Sequence, residues 1–263
     1  MVLKTSLHCR NPMKDPMTLT AKLCARPLPL AVVGLVALAA FAPMQNAFAQ
    51  AFCASDGQPQ PVQLLERFIN ADCESCWKDH ATAKVGKGQA VLDWVVPGRR
   101  ADDAPLSAVA SSDGLSRLEA LKKKVPAESM TSVAPVKPLK KATLRVAHGI
   151  ALSGYAGVSI ELKPAMPAFR GQQLTAWLAL VETITEGTEG TPVERNLVRG
   201  VLQTSWDGRK SIAKTDPDRF FDARTMSVAP GVNGERLKVI GWVEDRNGNI
   251  LAAAQSKCEL AAK

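Results

Sequence analysis

Cys73 and Cys76 stand three residues apart in the run Asn70-Ala-Asp-Cys-Glu-Ser-Cys-Trp-Lys-Asp-His80. On the first turn of a helix, two thiols at this spacing can close a small disulfide ring and reopen it by thiol–disulfide exchange. The N-terminal thiol lies nearest the free N–H groups and the positive end of the helix dipole, where a thiolate is stabilised. Cys73 is therefore the expected nucleophile, solvent-accessible, and Cys76 the resolving thiol, buried against the preceding strand. Asp72 and Glu74 flank Cys73 and oppose a thiolate, whereas Lys78 favours one, so its pKa is not expected to be strongly depressed. The same spacing also suits a local structural disulfide with no chemistry. His80 follows Cys76 by four residues and would share its face on a continuous helix, as a candidate modulator of that thiol. Cys73, Cys76, His80 and His148 are the residues that could bind zinc, but no second cysteine pair has ligand spacing, and no metal or other cofactor is expected. Trp77 after Cys76 excludes the C-x-x-C-H haem signal. The chain carries no G-x-S-x-G, H-E-x-x-H or phosphate-binding loop, and Gly86-Lys87-Gly88 is too short to be one.

The oxidation state of these thiols depends on the compartment, and the N-terminus speaks to that. An apolar run from Leu30 to Phe41 follows Lys22 and Arg26 and precedes Ala47-Phe48-Ala49, an A-x-A cleavage site. This pattern predicts a secretory signal peptide over 1–49, because the run falls short of the roughly 20 apolar residues that span a membrane. A periplasmic or secreted protein without a membrane span is expected. Residues 1–49 hold five basic residues and one acidic, so the net charge falls from +8 for the whole chain to +4 without them. That charge is spread thinly and argues against nucleic acid as a partner. Lys122-Lys123-Lys124 is a short run at an expected helix end. Four of the six cysteines lie beyond the leader: Cys53, Cys73, Cys76 and Cys258. An even number in an exported chain predicts two disulfides, with three pairings available. If Cys73 pairs with Cys76, then Cys53 and Cys258 are left to form a structural disulfide across the chain.

Several elements must position these residues. Val62–Asn70 reads as a strand, Glu74 to about Lys84 as a helix capped by Asp72, and Ala90–Val96 as a second strand. Leu115–Lys124 reads as a second helix, capped by Ser112 or Asp113. This alternation is a βαβ unit with a parallel pair. Val125–Lys141, with Pro126, Pro135 and Pro138, reads as a crossover or linker. Beyond it, strand patterns cover 156–162, 174–182, 196–203, 236–244 and 250–255, with an exposed loop at 186–189 and a hairpin turn at Asn247-Gly248. Such strands imply an antiparallel sandwich. Trp94, Trp177, Trp206 and Trp242 sit in or beside apolar strands and are expected in the core.

The strand and C-x-x-C of Val62–Cys76 resemble the start of a thioredoxin-like domain. The wider layout is similar to a family of secreted bacterial thioredoxin-like proteins of unknown function, in which a signal peptide, that domain and a C-terminal β-sandwich follow one another. Asn196-Leu-Val-Arg199, Trp206-Asp-Gly208, Val239–Asp245 and Asn249–Gln255 resemble its sandwich. The resemblance implies an α+β, two-domain chain: a thioredoxin-like α/β domain over 50–141, with the Pro-rich linker at its end, and an antiparallel β-sandwich over 142–263. It also implies a cis-proline facing the dithiol, for which Pro135 is the candidate. Two functional expectations follow: exchange with protein thiols through Cys73 and Cys76, or a non-catalytic envelope module with two structural disulfides that binds a protein partner.

Overall fold

The computed structural model describes residues 53–137, 142–164, 169–208 and 218–258. The expected leader over 1–49, with Cys9 and Cys24, lies outside these, as does Pro138. Twelve strands and two helices are present among the described residues: β1 (Cys53–Ala54), β2 (Gln63–Asn70), α1 (Glu74–Trp77), β3 (Gln89–Val96), α2 (Ser112–Ala120), β4 (Ser129–Pro135), β5 (Thr143–His148), β6 (Tyr155–Lys163), β7 (Gln173–Ile184), β8 (Arg195–Asp207), β9 (Phe220–Ser227), β10 (Leu237–Asp245), β11 (Ile250–Gln255) and β12 (Lys257–Cys258). They form a five-stranded sheet, β12-β1-β5-β6-β9, and a seven-stranded sheet, β11-β10-β7-β8-β3-β2-β4.

The expected fold class is therefore corrected. This is a mostly β structure of two sheets, and no thioredoxin-like α/β domain stands apart from a sandwich. The larger sheet joins β2, β3 and β4 to β7, β8, β10 and β11, so strands from both sides of residue 141 share one hydrogen-bonded ladder. β2 and β3 do pair in parallel, from Gln63↔Gln89 to Asn70↔Val96, but β3 continues into β8 at Asp93↔Leu197.

Three local features explain the difference. The helix expected over 74–84 stops at Trp77. Continuing it would require the Trp77 carbonyl to accept from Ala81, but that carbonyl accepts from Arg195 Nη2 at 2.9 Å and Ala81 N donates to Asp79 Oδ1 at 2.8 Å. The segment read as a linker holds β4, an antiparallel edge partner of β2 with alternating exposure. Pro135 sits at its end, where a missing N–H costs the sheet little. Finally, β5 and β9 build the five-stranded sheet and carried no assigned pattern in the sequence reading; β9 is exposed at most positions.

The two faces of the large sheet bury different things. One face packs Leu174, Leu178, Leu180, Val239 and Val243 against Leu144, Val146, Val158 and Ile160 of the smaller sheet. The other packs Trp94, Trp177, Trp242 and Phe68 with Leu118 of α2. All four tryptophans expected in the core are buried there or beside Phe220. α2 begins at Ser112, with Ser111 as the N-cap accepting from Asp113 N at 3.1 Å. The Asn247-Gly248 turn links β10 and β11, with Gly248 at φ +78, a left-handed conformation that costs glycine no steric strain.

Candidate functional site

Cys73 and Cys76 are joined by a disulfide at the C-terminal end of β2, where the parallel pair with β3 ends. Both are half-buried, and of the two it is Cys76 that packs against the core beside Ile69 and Val95. The residue that goes into the core is Trp77, packed with Ile69, Val95, Ile184 and Leu197. Trp77 is the residue of this one-turn helix that is buried.

That tryptophan is held on three sides. Its Nε1 donates to Glu189 O at 2.9 Å in the β7–β8 loop, and the Arg195 guanidinium lies 4.7 Å from the ring centroid. Arg195 also donates from Nη2 to the carbonyls of Cys76, at 3.4 Å, and Trp77, at 2.9 Å. The turn carrying the disulfide is thus anchored from β8, more than a hundred residues away in sequence.

Arg195 belongs to a buried charged cluster. Its Nη1 donates to Asp93 Oδ1 at 3.0 Å, and Arg67 Nη2 donates to Asp93 Oδ2 at 2.7 Å. Asn196 N adds a third donor to Asp93, at 2.8 Å. Arg67 further ties down Ala83 O and Glu194 O, at 2.8 and 3.0 Å. Burial pushes the Arg195 guanidinium below its ordinary pKa, Asp93 pulls it back up, and Arg67 adds to the depression. Two arginines share the Asp93 carboxylate beneath the dithiol turn, and the Asp79 carboxylate adds to the compensation of Arg195.

The near surroundings of the dithiol are more neutral than the sequence implied. Lys78 is engaged by Glu74 at 2.6 Å, and this pairing holds the Glu74 carboxyl below its ordinary value. Asp72, expected as the helix cap, instead accepts from Arg99 N at 2.8 Å and Arg100 N at 3.2 Å; the first turn is capped by Cys73 with no side-chain bond. Gly98 permits this approach, since a Cβ there would collide with the Asp72 carboxylate. Ser75 Oγ lies 3.4 Å from Cys73 Sγ.

The other expected site residues are placed elsewhere. His80 is exposed in the turn after α1 ends, so it shares no helix face with Cys76. Pro135 pairs with Gln63 at the start of β2, whereas the dithiol follows Asn70 at its end, roughly 20 Å away along an extended strand. The peptide bond before it is trans; among the described residues the cis bond is Lys163–Pro164. No proline role at the dithiol attaches to Pro135. Cys53 and Cys258 form the second disulfide, directly opposite one another in the β1–β12 pair. His148 lies beside them and not with Cys73 and Cys76.

Sequence reading overlooked Arg67, Asp93 and Arg195, and also a second buried cluster on the opposite face. There Arg117 of α2 donates to both oxygens of Glu66, at 2.7 and 2.8 Å, and lies 2.8 Å from Glu244 Oε1. Its guanidinium sits 5.0 Å from the ring centroids of both Trp177 and Trp242. Burial opposes its charge, but Glu66 and Glu244 outweigh that and hold it above its ordinary pKa. A signal for these residues existed: Glu66-Arg67 and Asp93 interrupt strands otherwise apolar on both faces, and buried charges require partners.

No protein-family model matches the chain, and no curated protein matches it. Among solved structures it is similar to HBP35 of Porphyromonas gingivalis, with 14% identity and a TM-score of 0.43 over 78% of each chain. It is also similar to chicken MD-1, solved in complex with lipid IVa, with 9% identity and a TM-score of 0.20 over 46% of this chain and 94% of that one. Likeness this distant carries no argument about activity, and what stands from the structure itself is a β-rich module with two disulfides.

Proposed function

We propose that the chain is exported to the periplasm or beyond, and that its Cys73–Cys76 pair exchanges disulfides with protein thiols. One observation carries this reading. The dithiol turn is held by Arg195 and Trp77 independently of its S–S bond, so opening the bond leaves the turn's anchors in place. A pair built this way can cycle between oxidised and reduced forms on a fixed platform. In the exchange, a partner thiolate attacks Cys73 Sγ and the S–S bond breaks. Cys76 leaves as a thiolate and takes up a proton. A second partner thiolate then displaces Cys73 from the mixed disulfide and leaves as part of the partner's own disulfide.

A second reading, a non-catalytic envelope module with two structural disulfides, is favoured by the Lys78–Glu74 pairing, which removes a cation that would stabilise a Cys73 thiolate. The reduction potential of the Cys73–Cys76 pair separates the two. Exchange predicts a potential above about −300 mV, while a structural bond lies below it. Exchange also predicts that Cys73→Ser/Cys76→Ser keeps the fold and loses no more than about 2 kcal/mol, the loop-entropy value for so small a ring. A potential below that range, or collapse of the double variant, refutes the exchange reading.

A further inference from the structure

Three residues of the smaller sheet stand in one row. Cys53 of β1 is in register with Cys258 of β12 on one side and with His148 of β5 on the other. Residues opposite one another across strands point to the same face, and here a sulfur of each cysteine and a ring nitrogen of the histidine lie within 4.8 Å of one another. Cys53 and His148 are each 3% exposed, and Cys258 is half-buried.

The histidine is the unexplained member. Its Nδ1 lies 2.8 Å from Gly149 O, which can only accept, so Nδ1 carries the hydrogen. In the neutral ring Nε2 then holds the lone pair, and it is buried without a hydrogen-bond partner. A histidine whose N–H is fixed by a carbonyl while its other nitrogen stays open is the arrangement that orients zinc-binding imidazoles. Among the described residues no group meets hydrogen-bond geometry at that nitrogen, although the Leu237 backbone also lies beside the ring.

We infer that Cys53, Cys258 and His148 form a zinc site when the disulfide is reduced, so that the clasp has two alternative closures, one covalent and one metallic. Reduction by two thiols, or by one dithiol, adds two electrons and two protons to the S–S bond, and the reducing sulfurs leave joined as a disulfide. Zinc then displaces both thiol protons and takes two thiolates, the imidazole and, in the fourth position, a water. Once reduced, the two sulfurs must stand roughly 3.8 Å apart, the edge of a zinc–thiolate tetrahedron, and the strands that carry them are only two residues long. Cys258 also lines an open cavity of about 390 Å³ with Gln58, Lys238 and Ser256, which gives reductant and metal a way in.

The test uses the chain carrying Cys73→Ser and Cys76→Ser, so that the other pair contributes no ligand and the result is independent of the exchange reading. The protein is reduced with a phosphine, because dithiols chelate zinc, and titrated with Zn²⁺ against a chromophoric chelator and separately with Co²⁺. One metal per chain is expected in the reduced form and none in the oxidised form, with a thiolate-to-cobalt charge-transfer band. His148→Ala and Cys258→Ser should each weaken zinc binding by at least about tenfold. Equal binding by reduced and oxidised protein, or an affinity unchanged by His148→Ala, overturns the proposal. Should reduction unfold the chain, zinc must restore its β-sheet spectrum, and failure to do so overturns it equally.

Discussion

The two disulfides differ in what holds the chain around them. Cys73–Cys76 closes a ring over a separation of three residues, and its surroundings are tied down by Arg195, Trp77 and Asp72 without its help. Cys53–Cys258 spans a separation of 205, and the strands it joins are two residues each. In the chain-entropy model the first contributes about 2 kcal/mol and the second about 5 kcal/mol. The sites also differ in what lies beneath them: a buried arginine–aspartate cluster under the short ring, and a buried histidine beside the long one. A disulfide that carries little of its own geometry is free to do chemistry. One that carries the closure of the whole chain is a clasp.

The sharpest way to break this comparison is to remove the clasp. Cys53→Ser/Cys258→Ser should cost up to about 5 kcal/mol, or roughly 10–20 °C in melting temperature for a chain of this size. A loss no larger than that of Cys73→Ser/Cys76→Ser, read by calorimetry on the two double variants side by side, would erase the distinction between the sites.

Removing the anchor beneath the dithiol comes next. Arg195→Met keeps the volume but strips Asp93 of one partner and frees the Cys76 and Trp77 carbonyls. A loss of about 3 kcal/mol is expected, because the buried Asp93 Oδ1 and Trp77 carbonyl each lose a donor, while Arg67 still balances the Asp93 charge. The comparison predicts where the loosening goes: amide hydrogen exchange should quicken over residues 74–78 and stay unchanged at 53–54 and 257–258. Loosening at both would show that the two sites are not independent.

The smallest expected effect is a pH dependence confined to the clasp. Burial depresses the His148 pKa, so the unfolded chain binds its proton more readily than the folded one. Stability from the neutral ring is therefore complete above 6.5 and declines as pH falls below it. His148→Gln should flatten the melting-temperature profile between pH 7 and 5. The lowered carboxyls of Asp56 and Asp245 act in a more acidic window, and the Asp113 carboxyl, raised by burial, acts above 3.8 with the opposite sign, so the effect is read as the difference between His148→Gln and the parent at each pH. An unchanged slope would mean that the imidazole is not buried neutral.

Much of the strand pattern was legible because burial imposes a period. β2, β3, β7, β8, β10 and β11 fall within a few residues of the runs read from apolar spacing, and the β2–β3 pair is parallel. β4 was hidden by Pro135 at its end and by Pro126 and Pro138 in the flanking sequence, which together read as a linker, although a proline is tolerated at a sheet edge. Helix α1 was overestimated because no glycine or proline interrupts the chain between Trp77 and Gly86, while the carbonyls needed to propagate it are taken by Arg195. Glu66, Arg67 and Asp93 announced buried charge, but not which arginine from another part of the chain would answer it.

What the sequence determined by itself is therefore local: the C-x-x-C and its spacing, the strand periods, the Asn247-Gly248 turn, and an even set of cysteines that can pair. These follow from bonds and burial within a few residues. Only the tertiary structure decided that the strands of both halves share one sheet, that Arg195 holds the dithiol turn, and that His148 faces the Cys53–Cys258 bond. The reason is physical: each depends on strand order and register, which are selected by the free energy of packing the whole chain and leave no mark in the spacing of any one segment.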